Sequence, residues 1–85
     1  MIEIAYSPTF VKQYGNCEKE LKEEIKEKIN LLKNRNNHKH LKVHKLHGFK
    51  DRFSFSVNYK FRIIFCWLNK KEVYLLVLGN HDIYK

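Results

Sequence analysis

The sequence is poor in residues that interrupt regular structure: its 85 residues include one proline and three glycines. This excludes a collagen-like or low-complexity chain, and the 44% of apolar residues indicates a folded globular protein. No apolar run approaches the roughly 20 residues that cross a membrane, and Met1 to Phe10 carries no signal-peptide pattern. We therefore expect one domain over residues 1–85, located in the cytoplasm and without a membrane partner.

Cysteine is scarce as well. Cys17 and Cys66 lie far apart and lack the short spacing of metal-binding cysteines. In a cytoplasmic chain this favours buried free thiols, with a single disulfide as the alternative. The sequence also lacks an HExxH helix, a Walker-type glycine loop, a dinucleotide fingerprint and a GxSxG turn. We accordingly predict neither a metal nor a cofactor.

Acidic residues are few: the chain has 9 Asp and Glu against 17 Lys and Arg, and its formal net charge is +8. The excess is local. Residues 18–28 nearly balance, whereas residues 33–62 hold nine Lys or Arg, four His and one acid, Asp51. Charge concentrated in one segment indicates a face that binds an anionic partner. The alternative is a basic surface that contacts only water.

The apolar pattern predicts an α+β fold. Alternation over residues 2–6 indicates a first strand, and Ser7-Pro8 is typical of a helix N-terminus. An apolar stripe then continues to about Lys33, interrupted at Gly15-Asn16, which predicts either one kinked helix or two helices in a hairpin. Residues 34–39 are a loop by composition, and residues 41–46 fit either a short extended segment or a helical turn.

Three strands are predicted in the second half of the chain. Residues 53–59 alternate between apolar and polar side chains, which places Ser54, Ser56 and Asn58 together on a polar face. Residues 61–68 fit a central strand, and residues 72–78 form the last strand after a hairpin loop at 69–71. The expected order is β-α(α)-β-β-β: an N-terminal strand, a helical pair or kinked helix, then a mostly antiparallel sheet.

Arg62 is a lone cation inside the apolar stretch 61–65. Burying a guanidinium is costly unless it is paired, so Arg62 needs either a carboxylate or an opening onto an anion-binding face. A helix Glu or Asp82 is the alternative partner. If Arg62 instead shares the polar face of Ser54 and Ser56, that face would seat a phosphate.

Five histidines occur, four in the basic segment and His81 after the last predicted strand. Imidazole titrates near neutral pH, so His44, His47 and His81 are candidate acid–base groups. We interpret His38 and His40 as exposed loop residues that contact phosphate or have no role.

These groups match the requirements of RNA cleavage. RNA carries its own nucleophile, the 2′-hydroxyl, so a catalyst needs a base, an acid for the 5′ leaving oxygen, and cations for the charged transition state. His, Lys, Arg and Tyr side chains supply all three without a metal. Tyr84 is a candidate for stacking on a base or donating to a phosphate, or alternatively for packing the tail against the sheet.

Three stretches resemble the RelE/ParE superfamily of bacterial toxin–antitoxin toxins: KLHGFKDR at 45–52, FSVNYKFRIIF at 55–65 and GNHDIY at 79–84. The resemblance extends over essentially the whole chain, including the opening from Tyr6 to Phe10. It implies a compact sheet with an N-terminal helical pair, and a small toxin neutralised by an acidic cognate antitoxin. RelE-like members are ribosome-dependent mRNA endonucleases, whereas ParE-like members act on DNA gyrase.

Residue by residue, the resemblance implies that Arg62 contacts the scissile phosphate and that His81 is an acid–base group, as in the YafQ-like branch. His44 matches the second histidine of that branch, and Tyr84 matches the nearby aromatic residue.

The sequence departs from the family pattern close to the arginine. Ser54 and Ser56 replace the lysines of RelE on the preceding strand, and Lys60 replaces the aspartate of the YafQ-like branch. We predict that other cations bind the RNA instead. These are Lys42, Lys45, Lys50 and Arg52.

The sequence therefore predicts a toxin that acts as a metal-independent, ribosome-associated mRNA endonuclease, with mRNA and an acidic antitoxin as partners. Two alternatives stay open. One is a gyrase-poisoning toxin without nuclease activity, and the other is a catalytically inactive module that binds RNA or an antitoxin.

Overall fold

The computed structural model describes residues 1–80 as two helices and one five-stranded sheet. The elements are β1 (Glu3–Tyr6), α1 (Pro8–Gly15), α2 (Lys19–Leu32), a 3-10 turn (Arg35–Asn37), β2 (His44–Lys45), β3 (Phe53–Ser56), β4 (Phe61–Asn69) and β5 (Glu72–Asn80). The strand order is β1-β5-β4-β3-β2. β1 is parallel to β5 and every other pairing is antiparallel, which confirms the predicted α+β class.

The helical region is a pair of helices rather than one kinked helix. α1 ends at Gly15 with Asn16 as its C-cap, and α2 begins after Glu18. Within residues 1–80, neither helix is long and apolar enough to cross a membrane.

Ser7 joins the start of α1 to the central sheet. Its hydroxyl oxygen accepts a hydrogen bond from the backbone N–H of Phe10 at 2.9 Å, as an N-cap does. The same hydroxyl donates to the carbonyl of Leu76 in β5 at 2.6 Å. Ser7 is buried, so both bonds are shielded from water.

Both helices pack on one face of the sheet and enclose the core. Phe55 and Phe65 are fully buried and meet edge to face with ring centroids 5.7 Å apart. Around them pack apolar side chains from the other strands, both helices and the loop after α2: Phe10, Ile25, Ile29, Leu32, Leu41, Ile63, Val73 and Leu75.

The opposite face of the sheet carries the polar strand residues. Ser56 pairs with Arg62, and Ser54 pairs with Ile64. Directly opposed residues of antiparallel strands share a face, so the predicted grouping of Ser54, Ser56 and Arg62 is confirmed. Ser54 is fully buried, however, so the polar face is closed to solvent at that position.

Several predicted boundaries are wrong. The strand predicted at 53–59 stops at Ser56, because Asn58 starts a turn, and Tyr59 is 90% exposed rather than part of an apolar face. The last strand continues past Leu78 to Asn80, so Gly79 belongs to β5 and not to a tail. The undecided segment 41–46 contains the short extended strand β2.

Cys17 and Cys66 are free thiols, as predicted, but each is half-buried rather than buried. The Cys17 thiol donates to the carbonyl of Gln13 at 3.2 Å. Burial raises the pKa of Cys17 above its usual value, and the nearby Lys22 opposes that rise. The thiol form that donates to Gln13 is therefore favoured.

We expect Ser7→Ala to lower the free energy of unfolding by about 2 kcal/mol, because it removes a helix cap and leaves a half-buried strand carbonyl without this donor. Thr9→Ala is the matched control, since Thr9 lies exposed in the same helical turn. Urea unfolding followed by circular dichroism measures both variants. Equal losses for the two would contradict the role given to Ser7.

Candidate phosphate-binding site

A cationic pocket of about 420 Å³ opens where β4 begins. Four of its lining side chains carry a cationic group or an imidazole: Lys28, His40, Lys42 and Arg62. The other described lining residues are Leu41, Ser56, Val57, Asn58 and Tyr59, so none of the described ones carries a carboxylate. We call this the Arg62 pocket.

A tight turn between β3 and β4 places Arg62 in the pocket. The side-chain oxygen of Asn58 accepts hydrogen bonds from the backbone N–H groups of Lys60 at 2.9 Å and Phe61 at 2.8 Å. The turn thereby fixes the first residues of β4 and the cross-strand pair of Ser56 with Arg62.

One acid of α2, Glu24, contacts the turn that forms this wall. Its carboxylate accepts a hydrogen bond from the amide of Asn58 at 3.2 Å. That amide contributes to the wall of the Arg62 pocket, so Glu24 helps to hold the turn in place. The other predicted partner for Arg62, Asp82, lies outside the described residues.

Lys42 adopts a left-handed backbone conformation, with φ of 58°. This conformation costs a non-glycine residue about 1 kcal/mol. It turns the chain from the buried Leu41 into β2, and it aims the carbonyl of Lys42 at His44. A predicted RNA-binding cation therefore occupies a strained position in the wall of the Arg62 pocket.

His44 lies on the same face as Arg62 but outside the pocket lining. Its Nδ1 is 2.8 Å from the carbonyl of Lys42, and because a carbonyl only accepts, Nδ1 carries the proton. The remaining nitrogen, Nε2, is then free to accept, and it lies 3.5 Å from the hydroxyl of Ser54. His44 is exposed and two strands from Arg62, about 10 Å across the sheet.

The other predicted cations lie at the end of β2 and along the β2–β3 connection, and not in the Arg62 pocket. Lys45, His47 and Lys50 are exposed there. Arg52 lines a second, apolar pocket of about 470 Å³ together with Leu46, Phe49, Ile64 and others. Of the predicted RNA-binding residues, only Lys42 contributes to the wall beside Arg62.

His81 and Tyr84, predicted as catalytic, lie outside the described residues. Gly79 pairs with Arg62 and Asn80 pairs with Phe61, so the described chain ends beside the Arg62 pocket.

The structure separates the two histidines that we grouped as loop residues. His38 is half-buried, contacts the carbonyl of Leu32 at 2.8 Å through Nε2, and packs near Trp67, so it is structural. His40 is exposed in the Arg62 pocket. Sequence reasoning missed Lys28, because it belongs to a charge-balanced helix and only the packing of α2 brings it to this pocket.

The described groups are suited to binding a phosphate and to proton transfer. Lysine and arginine cations stabilise phosphate oxygens, and neutral imidazoles exchange protons near neutral pH. Across residues 1–80, no three His, Cys, Asp or Glu side chains converge as metal ligands would.

Three solved structures share this fold over nearly their full length. YafQ from E. coli strain BL21(DE3) superposes with a TM-score of 0.76 at 20% identity, covering 98% of this chain and 97% of that one. The archaeal RelE of the RelE-RelB complex from Pyrococcus horikoshii OT3 gives 0.73 at 18% identity, covering 93% of each chain. The YoeB-YefM complex from Staphylococcus aureus superposes with a TM-score of 0.73 at 16% identity, covering 95% of this chain and 98% of that one.

No family model matches the sequence, and no curated protein does. The identities to the solved structures are low, so the superpositions establish the fold. The chain therefore has the RelE-like fold that its sequence motifs predicted.

We expect Lys42→Gly to separate stability from anion binding. Glycine relieves the left-handed strain, so the free energy of unfolding should stay level or rise by up to about 1 kcal/mol. Loss of the cation should weaken binding of a short single-stranded RNA several-fold, measured by fluorescence anisotropy. Lys39→Gly is the control, because Lys39 has no positive φ and should only lose stability. Strong destabilisation by Lys42→Gly would contradict this account.

Proposed function

We propose that this protein is the toxin of a toxin–antitoxin pair, and that it cuts mRNA on the ribosome in the cytoplasm without a metal. The observation that carries the proposal is the Arg62 pocket, where an arginine, two lysines and an imidazole line one cavity. The RelE-like fold supports it, since proteins named RelE, YafQ and YoeB share that fold.

The proposed reaction uses the 2′-hydroxyl of the substrate. A histidine base takes the 2′ proton, the 2′ oxygen attacks the neighbouring phosphorus, and the bond to the 5′ oxygen breaks as an acid protonates it. The products are a 2′,3′-cyclic phosphate and a free 5′-hydroxyl. Arg62 and Lys42 stabilise the negative charge of the pentacoordinate transition state.

Histidines supply the proton transfers in this proposal. His81 follows β5 by one residue, and the end of β5 pairs with the start of β4 where Arg62 lies. His44 has an Nε2 able to accept a proton on the Arg62 face, and His40 lines the pocket itself. Tyr84 and His47 are secondary candidates, and Lys45, Lys50 and Arg52 guide the RNA strand along the β2–β3 connection.

We expect Arg62→Ala and His81→Ala each to relieve growth arrest on expression and to lower RNA cleavage by about 100-fold or more. Mapping of transcript ends, with reading of the codon frame, measures the cleavage. Lys19→Ala is the charge-matched control on the exposed start of α2, and it should stay toxic.

Other outcomes would count against the proposal. If both alanine variants keep full toxicity, the assigned site is wrong. DNA-damage signalling with intact transcripts would favour a gyrase poison. Normal growth together with retained partner binding would indicate an inactive binding module.

An acidic antitoxin is the second proposed partner. An apolar groove of about 580 Å³ runs between α1 and α2, with Tyr6, Val11 and Ile29 in its wall and the cations Lys26 and Lys33 beside them. Tyr6 and Val11 are exposed large apolar residues. A groove of this kind suits the apolar side of an acidic amphipathic segment.

We expect the cognate acidic protein to associate at a rate that falls steeply with ionic strength, because the +8 chain attracts it over a distance. Stopped-flow association at several salt concentrations measures this rate. Val11→Asp should weaken the complex through the groove without changing RNA cleavage by the free protein. An association rate independent of salt would contradict electrostatic attraction.

A further inference from the structure

A second group of cations lies at the opposite end of the sheet, beside the β4–β5 hairpin. A surface basin of about 650 Å³ is lined there by Met1, Ile2, Lys33, Asn34, Arg35, Lys70 and Lys71. We call it the hairpin basin. Four of these side chains are cationic, and none of the lining residues within the described range carries a carboxylate.

Backbone hydrogen bonds hold the three chain segments of the hairpin basin together. The N–H of Ile2 donates to the carbonyl of Lys33 at 2.9 Å, and the N–H of Glu3 donates to the carbonyl of Lys71 at 2.7 Å. The cations therefore project from a fixed framework and not from independent loops.

Arg35 is oriented by two contacts. Its guanidinium carbon lies 4.8 Å from the ring centroid of Trp67, and its Nη2 donates to the carbonyl of Lys70. A guanidinium has five N–H donors, so several remain for an anion after the bond to Lys70. Arg35 is thus held in one orientation before any ligand arrives.

The nearest acids face away from the hairpin basin. Glu3 pairs with Glu72, and the next pair along the strands is Ile4 with Val73. The side chain of Val73 lies in the core beneath the helices. Side chains alternate along a strand, so Glu3 and Glu72 lie on the other face of the sheet. Glu72 also accepts a hydrogen bond from Asn69 at 3.4 Å. No carboxylate of Glu3 or Glu72 therefore lies among the four cations of the hairpin basin.

The lining chemistry favours a nucleic-acid backbone over an acidic protein. Protein interfaces depend on buried aromatic and aliphatic anchors, but the described lining offers only Met1 and the already buried Ile2 as apolar contacts. No aromatic side chain is among those lining residues, so the basin offers no surface on which unpaired bases could stack. Lysine, arginine and asparagine are the residues that contact phosphates.

Arg62 is too far from the hairpin lysines, Lys70 and Lys71, to contact the same phosphate. Arg62 and Asn69 are seven residues apart on β4, which corresponds to about 23 Å of extended strand. We propose that the hairpin basin binds the sugar-phosphate backbone of a nucleic-acid duplex, separately from the strand that enters the Arg62 pocket. This binding is an additional function and does not require cleavage.

The test measures binding of an RNA duplex of about 16 base pairs by fluorescence anisotropy, in an Arg62→Ala background. The double variant Lys70→Ala/Lys71→Ala removes two basin cations from an exposed turn. Lys12→Ala/Lys19→Ala is the control, since it removes the same charge from exposed helix positions. Circular dichroism verifies that every variant is folded.

We expect the basin variant to bind about ten-fold more weakly at low salt, and its log–log salt slope to be shallower by about 1.5 to 2 between about 50 and 200 mM salt. The control should change neither quantity by a comparable amount. Arg35→Lys keeps the charge but loses the planar guanidinium over Trp67. Its affinity for the RNA duplex should therefore lie between those of the wild type and the basin variant.

Three results would overturn the proposal. Equal losses for the basin and control variants would show that only net charge matters. An unchanged salt slope for the basin variant would show that the basin makes no phosphate contact. Weakened binding of polyglutamate with unchanged RNA binding would identify the basin as a protein-docking surface. Each result is independent of growth arrest, so the proposed nuclease function stands or fails separately.

Discussion

The antiparallel pairing of β4 with β5 is the interaction on which the rest of this structure depends. It sets Arg62 opposite Gly79 at one end and brings Asn69 opposite Glu72 at the other. β5 also pairs in parallel with β1, so the N-terminal strand and helix α1 are joined to the same framework. Loss of that register would separate the Arg62 pocket from the end of β5. It would also separate the chain segments that form the hairpin basin.

Helix α1 compensates for one of the two irregularities in this pairing. The register shifts between Ile64 and Phe65, where Leu76 is the extra residue on β5. Ser7 donates to the carbonyl of Leu76 at 2.6 Å, and the Gln13 amide both accepts from the N–H of Leu78 at 2.7 Å and donates to its carbonyl at 3.0 Å. Backbone groups of Leu76 and Leu78 near the bulge thereby gain hydrogen-bond partners on α1 and its N-cap. The end of β5 beside Arg62 is held by a helix as well as by its neighbouring strand.

The distribution of charge then explains how one small sheet presents two cationic sites. The acids concentrate on the solvent side of α2 and at the pair of Glu3 with Glu72, whereas cations occupy the loops at both ends of the sheet. About 23 Å of extended strand separates Arg62 from Asn69 at the hairpin, so we propose that the two sites contact different parts of an extended polyanion. The Arg62 pocket includes an imidazole, that of His40, whereas the hairpin basin offers only phosphate-binding donors. We therefore propose cleavage at the first site and duplex binding at the second.

The sequence by itself determined the main strands and the helical region, although not all of their ends or the break between α1 and α2. Alternation, the Ser7-Pro8 helix start and the apolar stripe depend on contacts between near neighbours. It also identified Arg62, because a cation in an apolar strand is conspicuous without any coordinates. Only the tertiary structure decided that His38 supports Trp67, that Ser54 is buried, and that Lys28 reaches the Arg62 pocket while Lys45 does not. The same holds for the hairpin basin, whose members 33–35 and 70–71 lie in separate segments. These arrangements follow from long-range packing and strand order, which residue spacing does not encode.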